Sequence, residues 1–194
     1  MTRASNRAET RRKLIDATKA VYADLGWEGT SVALVAERAG FTTGAIYGSF
    51  DGKLDLLMTV LEERAEEIVA ELGTRLDLAT TPSERIGAIR DFYGQRLGRD
   101  RIGGRLTFDI VRRAYDDAAM RARLKGIYDR ARSRVGEALA SELARRKLPL
   151  PIAADKLAGI VIALLDGVLV QQIVDQDNAV FDAIFDLVGL VGFR

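Results

Sequence analysis

Apolar side chains recur along this chain at the three-and-four spacing of helices, and no stretch alternates as a strand would. Leu14, Ile15, Thr18, Val21, Tyr22 and Leu25 mark a first helix, with Gly26 where a C-terminal cap belongs. Thr30-Ser31 supplies the N-cap of a second, short helix that turns Val32, Val35 and Ala36 inward, and Gly40 ends it. A third helix follows Thr42 and carries Ile46, Tyr47 and Phe50. Two short helices joined by a tight turn that opens with glycine form the helix-turn-helix pattern. A fourth helix begins near Lys53, with Leu54, Leu57, Met58, Leu61, Ala65, Ile68, Val69 and Leu72 as its apolar stripe. Thr81, Pro82 and Glu84 then form a capping box ahead of Ile86, Ile89, Phe92, Tyr93 and Leu97. Gly103-Gly104 interrupts the pattern, and Leu106, Phe108, Ile110 and Val111 resume it. Met120, Leu124, Ile127, Ala131, Val135, Leu139 and Leu143 predict a long amphipathic helix over about 116–146, ended by Leu148-Pro149-Leu150-Pro151.

From residue 152 onward charges are sparse and apolar residues cover more than one helical face. They include Ile160, Val161, Ile162, Leu164, Leu165 and Val168, then Val180, Phe181, Ile184, Phe185 and Leu187. A terminal helix pair of this kind needs a cover that its own domain does not supply, so an oligomer interface is expected there. The fold class is therefore all-α: a three-helix helix-turn-helix domain over 1–52 and a helical bundle over 53–194. The most apolar run, Ile160–Leu165, lies between Asp155-Lys156 and Asp166, which reads as too short and too charged to span a bilayer. No secretory signal is expected, because residues 1–13 are polar and basic and no short apolar run follows them. A cytoplasmic protein without a membrane partner is the expectation.

Composition narrows the chemistry. Apolar residues make up 48% and charged residues 29% of the 194, with three prolines, as suits an ordered helical protein. There is no Cys and no His, which removes disulfides, thiolate chemistry, Cys/His zinc sites and every catalytic arrangement built on imidazole. The net charge of +1 is unevenly spread: residues 1–13 hold five basic side chains against one acid, and residues 101–147 hold thirteen against six. A basic arm beside a near-neutral body points to one polyanion-contacting surface. Residues 1–8 are the part expected to lack order. Glu62, Glu63, Glu66, Glu67 and Glu71 read as a solvated helix face, since hard-metal sites gather ligands from several segments. Gly103-Gly104 lacks the Lys-Ser/Thr of a phosphate loop. No catalytic set, metal or cofactor is expected, and the chain does not read as an enzyme.

The run Lys13-Leu14-Ile15-Asp16-Ala17-Thr18, then Gly26-Trp27, Thr30-Ser31-Val32, Val35-Ala36, Ala39-Gly40-Phe41-Thr42, Gly44-Ala45-Ile46-Tyr47, Phe50 and Lys53, resembles the TetR family of transcriptional regulators. The likeness spans about residues 11–57. A recognition helix must enter the major groove, so its outward residues are small or hydrogen-bonding. Thr43, Gly44, Tyr47 and Gly48 are outward here, with Ala45 partly and Ile46 wholly turned to the core. None of Thr43–Ser49 is Arg, Lys, Asn or Gln, the side chains that read bases with two hydrogen bonds. Readout then falls to Thr43, to methyl contacts from Thr43 or Ala45, to Arg38 and to DNA shape. Thr30 and Ser31 open the second helix, where hydroxyls and free N–H groups suit a phosphate. The resemblance adds Tyr47 and Lys53 as phosphate contacts, and the DNA-facing set is completed by Thr42, Gly48 and Ser49. Two departures stand out. Ser49 occupies a position where the family more often has His or Tyr, and Leu34 replaces the common Asp or Glu, so the second helix lacks a capping box.

The resemblance also implies a small-molecule pocket in the second domain and a homodimer through two C-terminal helices, about 155–176 and 178–193. It implies a repressor that leaves a palindromic double-stranded operator when an effector binds, with the fourth helix as the lever. Phe92, Tyr93, Phe108, Tyr115 and Tyr128 are the aromatic lining candidates, and Arg112, with Arg105 and Arg113, suits an effector carrying a negative group. Two other classes compete: a helical enzyme working through carboxylates, and a helical interaction module that has kept the fold without DNA binding. A turnover screen separates the first, and salt-dependent binding to DNA the second.

Overall fold

The computed structural model describes residues 3–96, 101–145, 147 and 152–192, and among them helix is the only regular structure. The helices are α1 (Arg3–Gly29), α2 (Val32–Ala39), α3 (Thr43–Tyr47), α4 (Lys53–Leu78), α5 (Pro82–Arg96), α6 (Arg101–Ala114), α7 (Ala118–Arg145), α8 (Ala154–Asp175) and α9 (Ala179–Gly192). Leu97, the Leu148–Pro151 stop and Phe193 lie outside the described residues. Packing divides the chain into two compact units, Met1–Arg64 with Ile102–Leu124, and Ala65–Arg101 with Lys125–Arg194.

In the first unit, Leu14, Ile15, Val21 and Tyr22 of α1 are buried, as is Thr18, whose hydroxyl donates to the Leu14 carbonyl at 2.7 Å. Gly26 has φ 67°, outside the helical region, so the chain kinks there, but helix resumes to Gly29. Residues 3–8, expected to lack order, form the first turns of α1. The stripe drawn for α4 needs correcting. Leu56, Leu57, Met58, Thr59, Val60 and Leu61 are all buried, so this half of the helix is covered on every side, whereas Leu54 is only half-buried. Gly103-Gly104 does not break a helix: both residues lie inside α6, and both are buried. A Cβ at Gly103 would collide with the Arg64 guanidinium, so this glycine serves close packing, which offsets its poor helix propensity of ~1 kcal/mol relative to Ala. Leu106 and Ile110 form the buried face of α6, while Val111 is exposed. Asp117 opens α7 by accepting from the Met120 N–H at 2.9 Å.

In the second unit the capping box is in place. The Thr81 hydroxyl accepts from the Glu84 N–H at 3.2 Å, and Glu84 Oε2 accepts from the Thr81 N–H at 3.0 Å and the Thr80 N–H at 2.7 Å. α9 packs on α5 and α8. Gly136 of α7 is buried, and a Cβ there would lie 3.2 Å from the Ala154 carbonyl oxygen at the start of α8. Only Ala158 and Val168 of α8 are buried; Ile160, Leu164, Val170, Ile173 and Val174 are exposed, with Val180 and Leu187 of α9. α8 is long and apolar enough to cross a membrane by length and composition, which corrects the expectation from Ile160–Leu165. That expectation stopped at Asp166, yet Asp166 is the one charge between Leu157 and Val174. It is half-buried, and the Tyr128 hydroxyl of α7 donates to it at 2.9 Å. A carboxylate tied to α7, whose sequence is crowded with arginine, suits a helix laid against protein.

Candidate nucleic-acid interface

The turn between α2 and α3 is set by one glycine. Gly40 adopts φ 73°, ψ 28°, and its N–H and that of Phe41 close the end of α2 on the Glu37 and Ala36 carbonyls at 3.1 and 2.9 Å. At the other end of α2 the Ser31 hydroxyl accepts from the Leu34 N–H at 3.2 Å, which caps the helix without an acid at position 34. Val35 and Ala36 anchor α2, and Ile46 and Phe50 anchor α3 and the turn after it.

Fixing Ile46 inward turns the rest of α3 outward. Thr42, Thr43, Gly44, Tyr47 and Gly48 are exposed, Tyr47 by 64%, while Ala45 and Ser49 are half-buried. Arg38 is exposed on α2 and paired with Asp24 at 3.0 Å. Lys53 stands in the first turn of α4, with its Nζ 5.5 Å from the centre of the Trp27 ring. Thr30 does not belong to this surface. It is 1% exposed, and its hydroxyl donates to the Gly26 carbonyl at 2.7 Å, so it fixes the bend after α1 and has no hydroxyl left for a phosphate.

Several side-chain contacts elsewhere in the chain and at this surface join residues far apart in sequence and have no local signal. Arg7 donates to the Gly48 carbonyl at 2.9 Å, and the Arg11 guanidinium lies 4.4 Å over the Phe50 ring. Arg113 of α6 stacks 3.9 Å over Trp27 and pairs with Glu28 at 2.5 Å and Asp109 at 3.2 Å. The Tyr22 hydroxyl donates to Asp109 at 2.7 Å, and burial together with that carboxylate raises its pKa. Arg123 of α7 donates to Asp55, Thr59 and Glu62 of α4. The acidic face of α4 is thus engaged by cations: Glu62 by Arg123, Glu63 by Lys19, and Glu71 by Arg75 and Arg96.

The expected effector lining falls in two sets. Phe92 is buried and Tyr93 half-buried, edge to face with centroids 5.0 Å apart, and both belong with Tyr128 to the second unit. Burial raises the pKa of Tyr93 and of Asp166. Phe108 is half-buried in the first unit, where Arg112 is exposed and Tyr115 is 84% exposed, so neither Arg112 nor Tyr115 lines an interior. Arg113 is committed to Glu28 and Asp109. The arginines lying on the aromatic cluster are Arg75 and Arg96, 5.3 and 4.7 Å over Phe92, and both pair with Glu71. An open groove of about 400 Å³ runs between α5 and α9, with polar walls that include Arg90, Asp91, Gln95 and Asp182.

Two family models match the chain: one described as bacterial regulatory proteins of the tetR family, over residues 14–60, and one described as the C-terminal part of BetI-type transcriptional repressors, over residues 82–188. The chain is 29% identical over 171 residues to the HTH-type transcriptional regulator BetI of Brucella canis, covering 86% of this chain and 81% of that one. Its fold matches that of the transcriptional regulator FadR from Bacillus subtilis in complex with stearoyl-CoA, with a TM-score of 0.73 at 17% identity, covering 94% and 99% of the two chains. A TetR transcription regulator from Haloarcula marismortui matches at a TM-score of 0.73 and 15% identity, over 94% and 95%.

Proposed function

The chain belongs to the TetR family of bacterial transcriptional regulators, and from that premise we propose that it is a homodimeric cytoplasmic repressor, released from a palindromic operator by a small molecule. What carries the reading is the exposed row Thr42, Thr43, Gly44 and Tyr47, presented by a helix whose Ile46 is fully buried, with Lys53 at the start of the next helix. Ser31, Tyr47 and Lys53 fix the phosphates; Thr43, Gly44, Ala45 and Arg38 face the bases; Thr42, Gly48 and Ser49 complete the contact surface. With no long polar side chain on α3, base preference comes from methyl contacts and groove shape.

Residues 1–52 form the DNA-reading part in this account, and residues 53–194 the effector and dimer part. The exposed apolar faces of α8 and α9 meet those of a second copy, which sets the spacing of the two recognition helices. Phe92, Tyr93 and Tyr128 offer the effector its aromatic surface, with Arg75 and Arg96 beside it. FadR bound to stearoyl-CoA supports including acyl thioesters in an effector screen. Effector binding favours a placement of α4 that moves Lys53 and α3 away from successive grooves, and DNA affinity falls by the coupling free energy. The BetI-type model over 82–188 supports repression over activation.

Selection of bound sequences from a random duplex pool tests the reading and yields the operator. Enrichment of a palindromic site is expected, and the double substitution Tyr47→Ala, Lys53→Ala should weaken binding to matched and scrambled duplexes alike and flatten the salt dependence. Undiminished affinity in that variant would remove these two residues from the interface. Failure of the wild type to enrich any sequence would remove DNA reading itself.

A further inference from the structure

The recognition helix is poorly equipped to hold its own shape. α3 has five residues, far short of the length at which a helix persists alone. Gly44 lies inside it and Gly48 caps it, and each gives up helix propensity relative to alanine. Thr42 at its N-cap makes no side-chain capping bond. Its C-terminal end closes through the Ser49 and Phe50 N–H groups, both on the Ile46 carbonyl at 2.8 Å, and Ile46 and Phe50 are its only buried anchors. Two anchors on one side of so short an element leave its tilt free unless something holds the end.

The first turns of α1 supply the hold. Arg7 and Arg11 are one helical turn apart and therefore share a face. Arg7 takes the Gly48 carbonyl, the terminal acceptor of α3, at 2.9 Å, and Arg11 lies over the ring of Phe50 two residues further on. Lys13 is paired with Glu9 at 2.8 Å. The basic residues of the arm are therefore directed in part at protein, and Arg7 and Arg11 grip the chain on either side of Ser49.

We infer that Arg7 and Arg11 are positioning residues for DNA reading: the N-terminal turns of α1 clamp the C-terminal end of α3 and set its presentation, and these two arginines are not phosphate contacts. The inference rests on the DNA-reading function proposed above. Its chemistry makes a definite demand, because a neutral donor at position 7 and an apolar chain at position 11 preserve the clamp while removing the charge. At a phosphate contact either change removes the neutralising charge and so lowers the salt slope.

The test compares Arg7→Ala/Arg11→Ala with Arg7→Gln/Arg11→Met. Binding is measured to the duplex enriched by the wild type and to a scrambled duplex over a range of salt, and amide exchange is followed in residues 43–50 of the free protein. The alanine pair should speed exchange in 43–50 and lower the matched-to-scrambled affinity ratio roughly tenfold, at an unchanged salt slope. The Gln/Met pair should keep both near the wild type. The inference is overturned if the Gln/Met pair binds as weakly as the alanine pair while the salt slope falls by about one for each phosphate no longer neutralised. Unchanged exchange in 43–50 for the alanine pair overturns it as well. Should the wild type enrich no sequence, the DNA-reading conclusion fails, and the exchange data still decide whether the arm holds α3.

Discussion

Arg123 makes four hydrogen bonds to the N-terminal half of α4, so removing it tests how that helix is held. Its guanidinium donates to Asp55 Oδ1 at 2.5 Å, to Glu62 Oε1 and Oε2 at 3.1 and 3.0 Å, and to the Thr59 hydroxyl at 3.2 Å. The side chains are 32% exposed for Arg123, 24% for Asp55 and 25% for Glu62. Fully exposed pairs contribute only ~0.2–1 kcal/mol, whereas removing one member of a fully buried pair costs about 3–5 kcal/mol. A group one-quarter to one-third exposed sits between these limits, and its loss leaves two carboxylates on one face of α4. Arg123→Met, which keeps most of the apolar stem, should therefore lower unfolding stability by about 2 kcal/mol in urea and the melting temperature by roughly 4–8 °C. Protein concentration must be held fixed, because the proposed dimer would melt in a concentration-dependent way. Arg123→Lys keeps the charge without the fork and should lose about half as much. The difference should shrink in roughly 1 M salt. A methionine variant within ~0.5 kcal/mol of the wild type would refute the reasoning, since the ion pairs would then contribute no more than an exposed pair does.

Leu164→Glu with Val174→Glu alters two exposed positions of α8, so each folded chain should survive while its association fails; light scattering should report the mass of one chain, and a persisting dimer would put the interface elsewhere. Glu84 accepts hydrogen bonds from the Thr80 hydroxyl and from the Thr80 and Thr81 N–H groups, and these hold its pKa down to about 2 from the ordinary 4.5. A depressed folded value means that the cap contributes in full above pH 4.5 and fades as pH falls toward 2. Circular dichroism over that range should show the wild type losing more helix than Glu84→Gln does, and identical acid profiles would defeat the assignment.

Local signals in the sequence carry the helix boundaries well. Thr81 and Glu84 form their box, Ser31 caps α2, and Gly40 takes the left-handed turn that places α3. Each of these depends on neighbours within four residues, which a single sequence displays. What the sequence misplaces depends on distant partners. The α4 stripe assumes one packed face, but Leu56 and Val60 are also buried, and the number of neighbours around a helix is not written in its own period. Gly103 reads as a break because nothing near it in sequence announces Arg64. Tyr115 reads as pocket lining on residue type alone, yet it is 84% exposed. Arg113 suits an anionic ligand by its charge, and the structure gives it to Trp27, Glu28 and Asp109.

Those distant ties bear on how the proposed recognition surface, plain as it is, would achieve selectivity. Side chains that form two hydrogen bonds to one base tolerate small errors in placement, because they are long and can adjust. Thr43, Gly44 and Ala45 are short, so a methyl or hydroxyl contact to a base exists only if the helix backbone lies at the right depth and tilt. An error of about 1 Å removes such a contact, while the proposed phosphate contact from Lys53 would survive by rotation of its stem. Under the proposed DNA reading, selectivity depends on the rigidity of what surrounds α3. Arg7 and Arg11 meet the end of α3, and Arg113 stacks on the same Trp27 ring that Lys53 approaches. α6 carries Arg113 and also makes the Tyr22–Asp109 bond, so it is tied to α1 through two contacts. Under the proposed DNA reading, a short-chained surface is therefore more sensitive to errors in placement than a long-chained one.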